Sequence, residues 1–191
     1  MKVIGVNGIR SKGTNNTDKM LADLDARGWE TYDFNYPKVW AFQARSRRRQ
    51  RRIALDLVEQ HNHGDAVIAH SYGALITLRA MEMGAQFSQV FFFGAAMNDD
   101  FTFPFIGMLS LDNIHNLEDK ALMLGSLLRW HDFGPMGQTG YSGPPDPRIT
   151  NTIDFSAHQR SLRHSHYFLS SNRERWVAFI NARLRSHGHP A

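Results

Sequence analysis

Two hydrophobic periods alternate along the chain. Lys2-Val-Ile-Gly-Val6, Asp65-Ala-Val-Ile-Ala69 and Gln89-Val-Phe-Phe-Phe93 are short apolar runs without alternation, the reading of strands buried on both faces of a parallel sheet. Glu30-Thr-Tyr-Asp-Phe-Asn-Tyr36 alternates, is aromatic, and is stopped by Pro37, which predicts a second strand between the first two. Asp112-Asn-Ile-His-Asn-Leu117 predicts a fifth. Between these runs the period changes to that of a helix. Met20, Leu21 and Leu24 follow the N-cap candidates of Thr14–Thr17 and stop near Gly28. Ile53, Leu57 and Gln60 predict one amphipathic helix over about 43–61, ending near Gly64. Leu75, Ile76, Leu78 and Met81 predict a largely buried helix that ends at Gly84. A short helix is expected over 119–130, and a long surface loop over 131–150, with its four glycines and four prolines. Ser171-Asn-Arg-Glu174 has the form of a capping box opening a last helix, whose apolar face is Trp176, Val177, Phe179, Ile180 and Leu184.

Strands that alternate with helices predict an α/β fold: a mostly parallel sheet of about five to six strands with helices on both faces. No repeat or second domain is visible, so residues 1–186 read as one domain and 187–191 as a flexible tail. The Phe101–Leu111 stretch joins the fourth and fifth strands and reads equally as core or as the wall of an acyl pocket.

Composition narrows the chemistry. The chain has no cysteine, which excludes disulfides, thiolate metal sites and a cysteine nucleophile, and leaves serine as the natural nucleophile. No apolar run approaches the ~20 residues of a membrane span, and the apolar start is too short for a signal peptide, so a cytoplasmic protein is expected. The net charge is +4, but six arginines lie within 45–52; without them it is 4 − 6 = −2. Basicity is therefore local, and no nucleic-acid partner is expected. Arg45, Arg48, Arg49 and Arg52 fall at helical spacing, so the run reads as the solvated face of a helix. The alternative is a non-catalytic module that docks an anionic partner there. The pairs His61/His63, His164/His166 and His187/His189 lack the spacing and the carboxylates of a metal site, so no metal is expected. Gly5-Val-Asn-Gly8 with Gly13 is not a nucleotide-binding fingerprint, so no cofactor is expected either.

Chemistry concentrates at Ala69-His-Ser-Tyr-Gly73. A strand ends there and a helix begins at once, with Ser71 at the apex, the form of a nucleophile elbow. The turn lifts the Ser71 hydroxyl clear of the sheet, and the residues two before and two after it, Ala69 and Gly73, are small. In parallel sheets functional groups gather at the carboxyl ends of the strands. Those ends offer Asn7-Gly8-Ile9-Arg10, Ser71, Asn98-Asp99-Asp100 and Glu118-Asp119, with His158, His164 and His166 ahead of the last helix. The order is nucleophile, acid, base. His70 flanks Ser71, but its side chain is expected on the opposite face, as a packed histidine.

In Val3-Ile-Gly-Val-Asn-Gly-Ile9, Ala69-His-Ser-Tyr-Gly73, Asn116-Leu-Glu-Asp-Lys-Ala-Leu122 and His164-Ser-His-Tyr-Phe168, the chain resembles the α/β-hydrolase superfamily in its small, lid-poor serine esterase/lipase form. It is also similar to small hydrolases carried by bacteriophages. The resemblance covers almost the whole chain in motif order. It implies a serine hydrolase acting on a small-molecule or lipid ester, with a Ser71–His164–Asp119 triad and an oxyanion hole from the backbone N–H groups of Tyr72 and Ile9. Thioesterase, amidase or acyltransferase chemistry on the same triad remains the alternative. Asp99 or Asp100 is the rival acid; Asp119 is favoured because Asp-Lys-Ala-Leu resembles the family's acid-bearing turn. His166 is the rival base; the family's His-Ser-x-Tyr form favours His164, and His158 is a third choice. The chain departs from the family at Asn7-Gly8, where His-Gly is common.

Overall fold

A computed structural model of the chain describes residues 1–9, 16–122, 132–155 and 164–186. Its centre is a six-stranded, wholly parallel sheet in the order β2-β1-β3-β4-β5-β6. The strands are β1 (Lys2–Val6), β2 (Glu30–Phe34), β3 (Ala66–His70), β4 (Gln89–Phe93), β5 (Ser110–His115) and β6 (Ile149–Ile153). The helices are α1 (Thr17–Asp25), α2 (Ala41–Ala44), α3 (Arg47–Gln60), α4 (Tyr72–Glu82), α5 (Met136–Thr139) and α6 (Ser170–Ser186), with a 3-10 turn at His166–Phe168.

Each strand's side-chain alternation sorts the core into two halves. Ile4, Val6, Val67, Ala69, Val90 and Phe92 face the layer of α2, α3 and α4. Val3, Ala66, Ile68, Phe91 and Phe93 face α1 and α6, through Met20, Leu24, Trp176, Ile180 and Leu184. Both faces are covered, which is why β3 and β4 carry no polar alternation. Each Val, Ile, Leu, Met or Phe side chain so buried contributes about 1.5–3 kcal/mol.

Five expected boundaries shift. The helix expected over 43–61 is two helices, because Ser46 breaks it: its hydroxyl accepts from the Arg49 N–H at 3.4 Å and caps α3. Buried Gln50 stitches the break by donating to the Ala44 carbonyl at 2.8 Å. β2 ends at Phe34 rather than Tyr36, because Tyr36 leaves the ladder to donate its hydroxyl to the Asn7 carbonyl at 2.6 Å. β5 starts at Ser110, where it pairs with Gln89. Asp112, expected as the first residue of the strand, therefore sits inside it, fully buried, and accepts from Arg183 of α6 at 2.8 Å. The loop expected over 131–150 holds α5 and ends in β6, an edge strand whose alternating Ile149-Thr-Asn-Thr-Ile153 lies hidden behind a proline-rich approach. The last helix begins at Ser170, so Ser171 lies within it and is not its cap. Of the helix expected over 119–130, only residues 119–122 are described, and 120–122 are helical; the tail 187–191 lies outside the described residues.

The chain runs from β1 out to β2, then back past β1 to β3. That reversal makes the carboxyl ends of β1 and β3 the switch point, where an open parallel sheet leaves a crevice. The turn after β3 fills it. Ser71 has φ 55° and ψ −120°, and is the only non-glycine residue with positive φ among the described residues. Such a conformation costs about 1–3 kcal/mol and persists only if its surroundings impose it. Three backbone bonds do so: the Ser71 N–H donates to Phe93 at 3.1 Å, and its carbonyl accepts from Ala74 and Ala96, each at 3.1 Å. Gly73 is pressed against the end of β1. A Cβ there would lie 2.2 Å from the Val6 carbonyl oxygen and 2.7 Å from that of Asn7. The small residue is thus demanded by β1, not by Ala69.

Two outcomes are expected from these contacts. Gly73→Ala should lower unfolding free energy by at least about 2 kcal/mol, because backbone rather than a mobile side chain must yield. Arg183→Met should cost about 3 kcal/mol, by taking the guanidinium from a buried carboxylate. Urea unfolding checks both, as a lower midpoint at unchanged slope.

Candidate active site

Ser71 stands at the carboxyl edge of β3, at the head of α4, and makes no capping hydrogen bond to that helix. Its hydroxyl is therefore not consumed by the helix it begins. The N–H groups of the first turn have no acceptor within a helix, and the helix dipole adds positive potential there. Tyr72, the first residue of α4, carries one of them.

His164 comes to this edge from the other side of the sheet. Its ring sits over Gly94, where a Cβ would be 3.1 Å from its Cε1. Gly94 lies between Phe93 and Ala96, the residues bonded to the Ser71 main chain, so the imidazole and the elbow share one neighbourhood. His164 Nδ1 is 2.5 Å from Asp119 Oδ2. The other carboxylate oxygen, Oδ1, accepts from the Leu122 N–H at 3.1 Å, and the Asp119 side chain is 1% exposed. Asp119 is held by both oxygens after β5, and the imidazole proton on Nδ1 is directed to it. The opposite nitrogen, Nε2, is buried and has no hydrogen-bond partner among the described residues.

The first loop reaches the site after β1. Ile9 is half-buried at the end of its described part. Tyr36 holds the loop by donating to the Asn7 carbonyl and, at 3.1 Å, to that of Gly8. Burial pushes the Tyr36 phenol well above its usual range, so it stays a donor. The Asn7 side chain donates to Asp33 Oδ1 at 3.1 Å and accepts from the Thr17 N–H at 3.2 Å. Asn7 therefore ties the loop to β2 and to the start of α1, a bracing role that leaves the backbone N–H groups ahead of it untouched.

The rival residues go elsewhere. Asp99 accepts from the Thr139 hydroxyl at 3.1 Å, and Asp100 is exposed. His166 Nε2 is 3.0 Å from Asp154 Oδ2 and 3.2 Å from Asn116 Nδ2. Asp154, 2% exposed, also takes Arg175 at 2.6 Å. Sequence reasoning missed Asp154 because it missed β6, which delivers it; the alternation of Ile149–Ile153 was the available signal. His158 lies outside the described residues. His70 is buried as expected, on the side of α1 and α6, but both ring nitrogens are engaged, with Asn16 and with the His164 main chain.

Two further stretches resolve. Phe103 packs on Phe92 in the core, while Ile106 and Leu109 are exposed. In the arginine run, Arg47 grips Asp132 with two bonds of 3.1 Å, and Arg79 of α4 shares that carboxylate at 3.0 Å. Arg48, Arg51 and Arg52 are exposed along α3, and Arg45 is exposed ahead of it. No helix among the described residues is long and apolar enough to cross a membrane.

No protein-family model and no curated protein sequence matches the chain. Solved structures do. Alpha/beta hydrolase domain-containing protein 10 from mouse is 10% identical with a TM-score of 0.62, over 98% of this chain and 90% of that one. A pyrethroid hydrolase from Sphingobium faniae JZ-2 is 13% identical with a TM-score of 0.53, over 95% of this chain and 96% of that one. Identities this low carry architecture alone. Near-complete coverage of both chains, with an all-parallel sheet flanked by helices on both faces, gives this protein the α/β-hydrolase fold.

Proposed function

We propose that the protein is a serine hydrolase that cleaves a carboxylic ester through an acyl-enzyme on Ser71. One observation carries this reading: a histidine locked to a buried carboxylate by Nδ1, with Nε2 uncommitted, beside a serine held in a strained elbow. The likeness in fold to hydrolases, among them the pyrethroid hydrolase, supports it.

Each residue then has a task. Asp119 accepts the Nδ1 proton, fixes the tautomer of His164, and stabilises the imidazolium that forms. His164 Nε2 takes the Ser71 hydroxyl proton as Oγ bonds to the ester carbonyl carbon, an effect worth about 10²–10⁴-fold. The tetrahedral oxyanion is held by the N–H groups of Tyr72 and Ile9; one such donor is worth about 3–4 kcal/mol. The C–O bond to the leaving group breaks, and His164 returns the proton to it as an alcohol. Water then repeats the sequence, giving up a proton to His164, attacking the acyl carbon, and releasing the acid with Ser71 restored. Thioester, amide and acyl-transfer chemistry would use the same steps with a different leaving group or acceptor. The substrate is a small-molecule or lipid ester, and no cofactor enters any step.

A fluorophosphonate probe should label Ser71, as located by peptide mapping, and Ser71→Ala should lose both the label and the hydrolysis of p-nitrophenyl esters. A folded, unlabelled wild-type protein would overturn the proposal. Asp119→Asn should keep the fold and lower kcat by about 10³–10⁴-fold, because the wrong tautomer is then favoured. Esters of increasing acyl length, read as kcat/KM, report the depth of the acyl site.

A further inference from the structure

His70 is the last residue of β3, directly before Ser71, and its ring is 2% exposed. Burial alone would ask only that its two nitrogens find partners. The partners they find are specific. His70 Nε2 is 3.0 Å from the His164 carbonyl oxygen. A carbonyl oxygen only accepts, so Nε2 carries a proton. Nδ1 is 3.0 Å from Asn16 Nδ2. Burial above all holds the His70 pKa well below the usual histidine range, so the ring is neutral. A neutral ring protonated at Nε2 has its lone pair at Nδ1, so Asn16 must present its NH₂ group there. Asn16 is itself fixed, because its backbone N–H donates to Asp18 at 2.9 Å at the start of α1.

The ring also packs against the residue it bonds. Its centroid is 4.7 Å from that of the His164 imidazole, and Phe168 meets it edge-on at 5.0 Å. His164 is thus gripped twice. Asp119 holds its side chain by Nδ1. His70 holds its main chain and one side of its ring.

We propose that His70 is a positioning residue for His164: its Nε2–H, kept in that tautomer by the His164 carbonyl at one nitrogen and the Asn16 amide at the other, fixes the main chain from which the base reaches toward Ser71. This inference rests on the proposed role of His164. The order of causes is local. Without the Asn16 amide, the His70 ring loses its second anchor and Nδ1 its donor, and the bond to the His164 carbonyl is held less tightly. A base displaced by a fraction of an ångström loses rate without losing substrate.

Three variants test it. His70→Phe keeps a ring but no donor, His70→Gln keeps an N–H near the position of Nε2, and Asn16→Leu touches neither His164 nor Ser71. Circular dichroism and thermal unfolding first establish which variants are folded. With a p-nitrophenyl ester, folded His70→Phe should lose about 10–100-fold in kcat, with KM within about twofold of wild type. His70→Gln should recover most of that loss, and Asn16→Leu should fall between. Proton NMR supplies a readout that needs no activity: the His164 Nδ1 proton shared with Asp119 should give a low-field resonance in wild type and His70→Gln, lost or broadened in His70→Phe. Folded His70→Phe with unchanged kcat and an unchanged low-field resonance would overturn the proposal, as would a variant that loses only thermal stability. If His70→Phe does not fold, Asn16→Leu decides by the same two readouts. If wild type neither hydrolyses esters nor takes the fluorophosphonate, the hydrolase reading fails, and the resonance alone still decides whether His70 positions His164.

Discussion

One strained residue sets the terms for this molecule. Ser71 at φ 55° has no compensation of its own; the conformation exists because β3, β4 and β1 clamp the turn from three sides. The Ser71 N–H and carbonyl are tied to residues of the β4 end, and Gly73 is wedged against the β1 carbonyls. Each tie is backbone to backbone, so it depends on the register of the sheet rather than on any rotamer. The register depends in turn on two apolar layers, since a slip of one residue would send Val67 and Ala69 to the wrong side. The hydrophobic pattern of β3 and β4 therefore does more than make a core: it imposes the strained turn that carries the Ser71 hydroxyl.

The polar groups around the elbow extend that logic outward. Backbone clamping fixes Ser71 but not the loops that must meet it. Those are fixed by single buried side chains, each bridging two elements: Tyr36 and Asn7 for the loop after β1, Asp119 for the segment after β5, His70 for His164. Each of these atoms has a partner, as burial requires. His164 Nε2, by contrast, is buried and unpartnered among the described residues, as are the Tyr72 and Tyr167 hydroxyls. An unsatisfied buried nitrogen costs roughly 1–3 kcal/mol. The surrounding bonds hold the ring in place despite that cost, which is the condition under which a lone pair stays available for a proton.

Much of this was legible in the chain. Five strands and the elbow could be read because buried parallel strands are unbroken apolar runs and because the elbow compresses strand, turn and helix into a few residues. Asp119 and His164 were singled out by local sequence form, and the structure brings them together. What could not be read was set by partners distant in sequence. Asp112 could be placed at the start of β5 but not inside it, because an acid inside a strand is unfavourable until Arg183, 71 residues away, satisfies it. Ser46 looked like one more polar position on a helix until its hydroxyl capped the next one. β6 was hidden because an edge strand with half its residues solvated differs little from a loop. His70 could be placed on the far face by alternation, but its partners, Asn16 and the His164 carbonyl, come from 54 and 94 residues away.

The pair His164 and His166 shows why sequence form and physical role separate. Two histidines one residue apart, each beside a buried aspartate, are equivalent as text. Their second nitrogens and surroundings are not. Asp154 gathers His166, Arg175 and, at 3.4 Å, the Trp176 indole N–H, and so fastens the 3-10 turn to α6. His166 meets its carboxylate through Nε2, the nitrogen at the tip of the side chain, so the tip is spent on anchoring. His164 meets Asp119 through Nδ1, the nitrogen nearer the backbone, and its tip is left over. An imidazole can shuttle protons at its tip only if something else holds its base. In this chain His166 anchors the segment just after His164, Asp119 and His70 hold His164 itself, and Nε2 is the nitrogen left without a partner among the described residues.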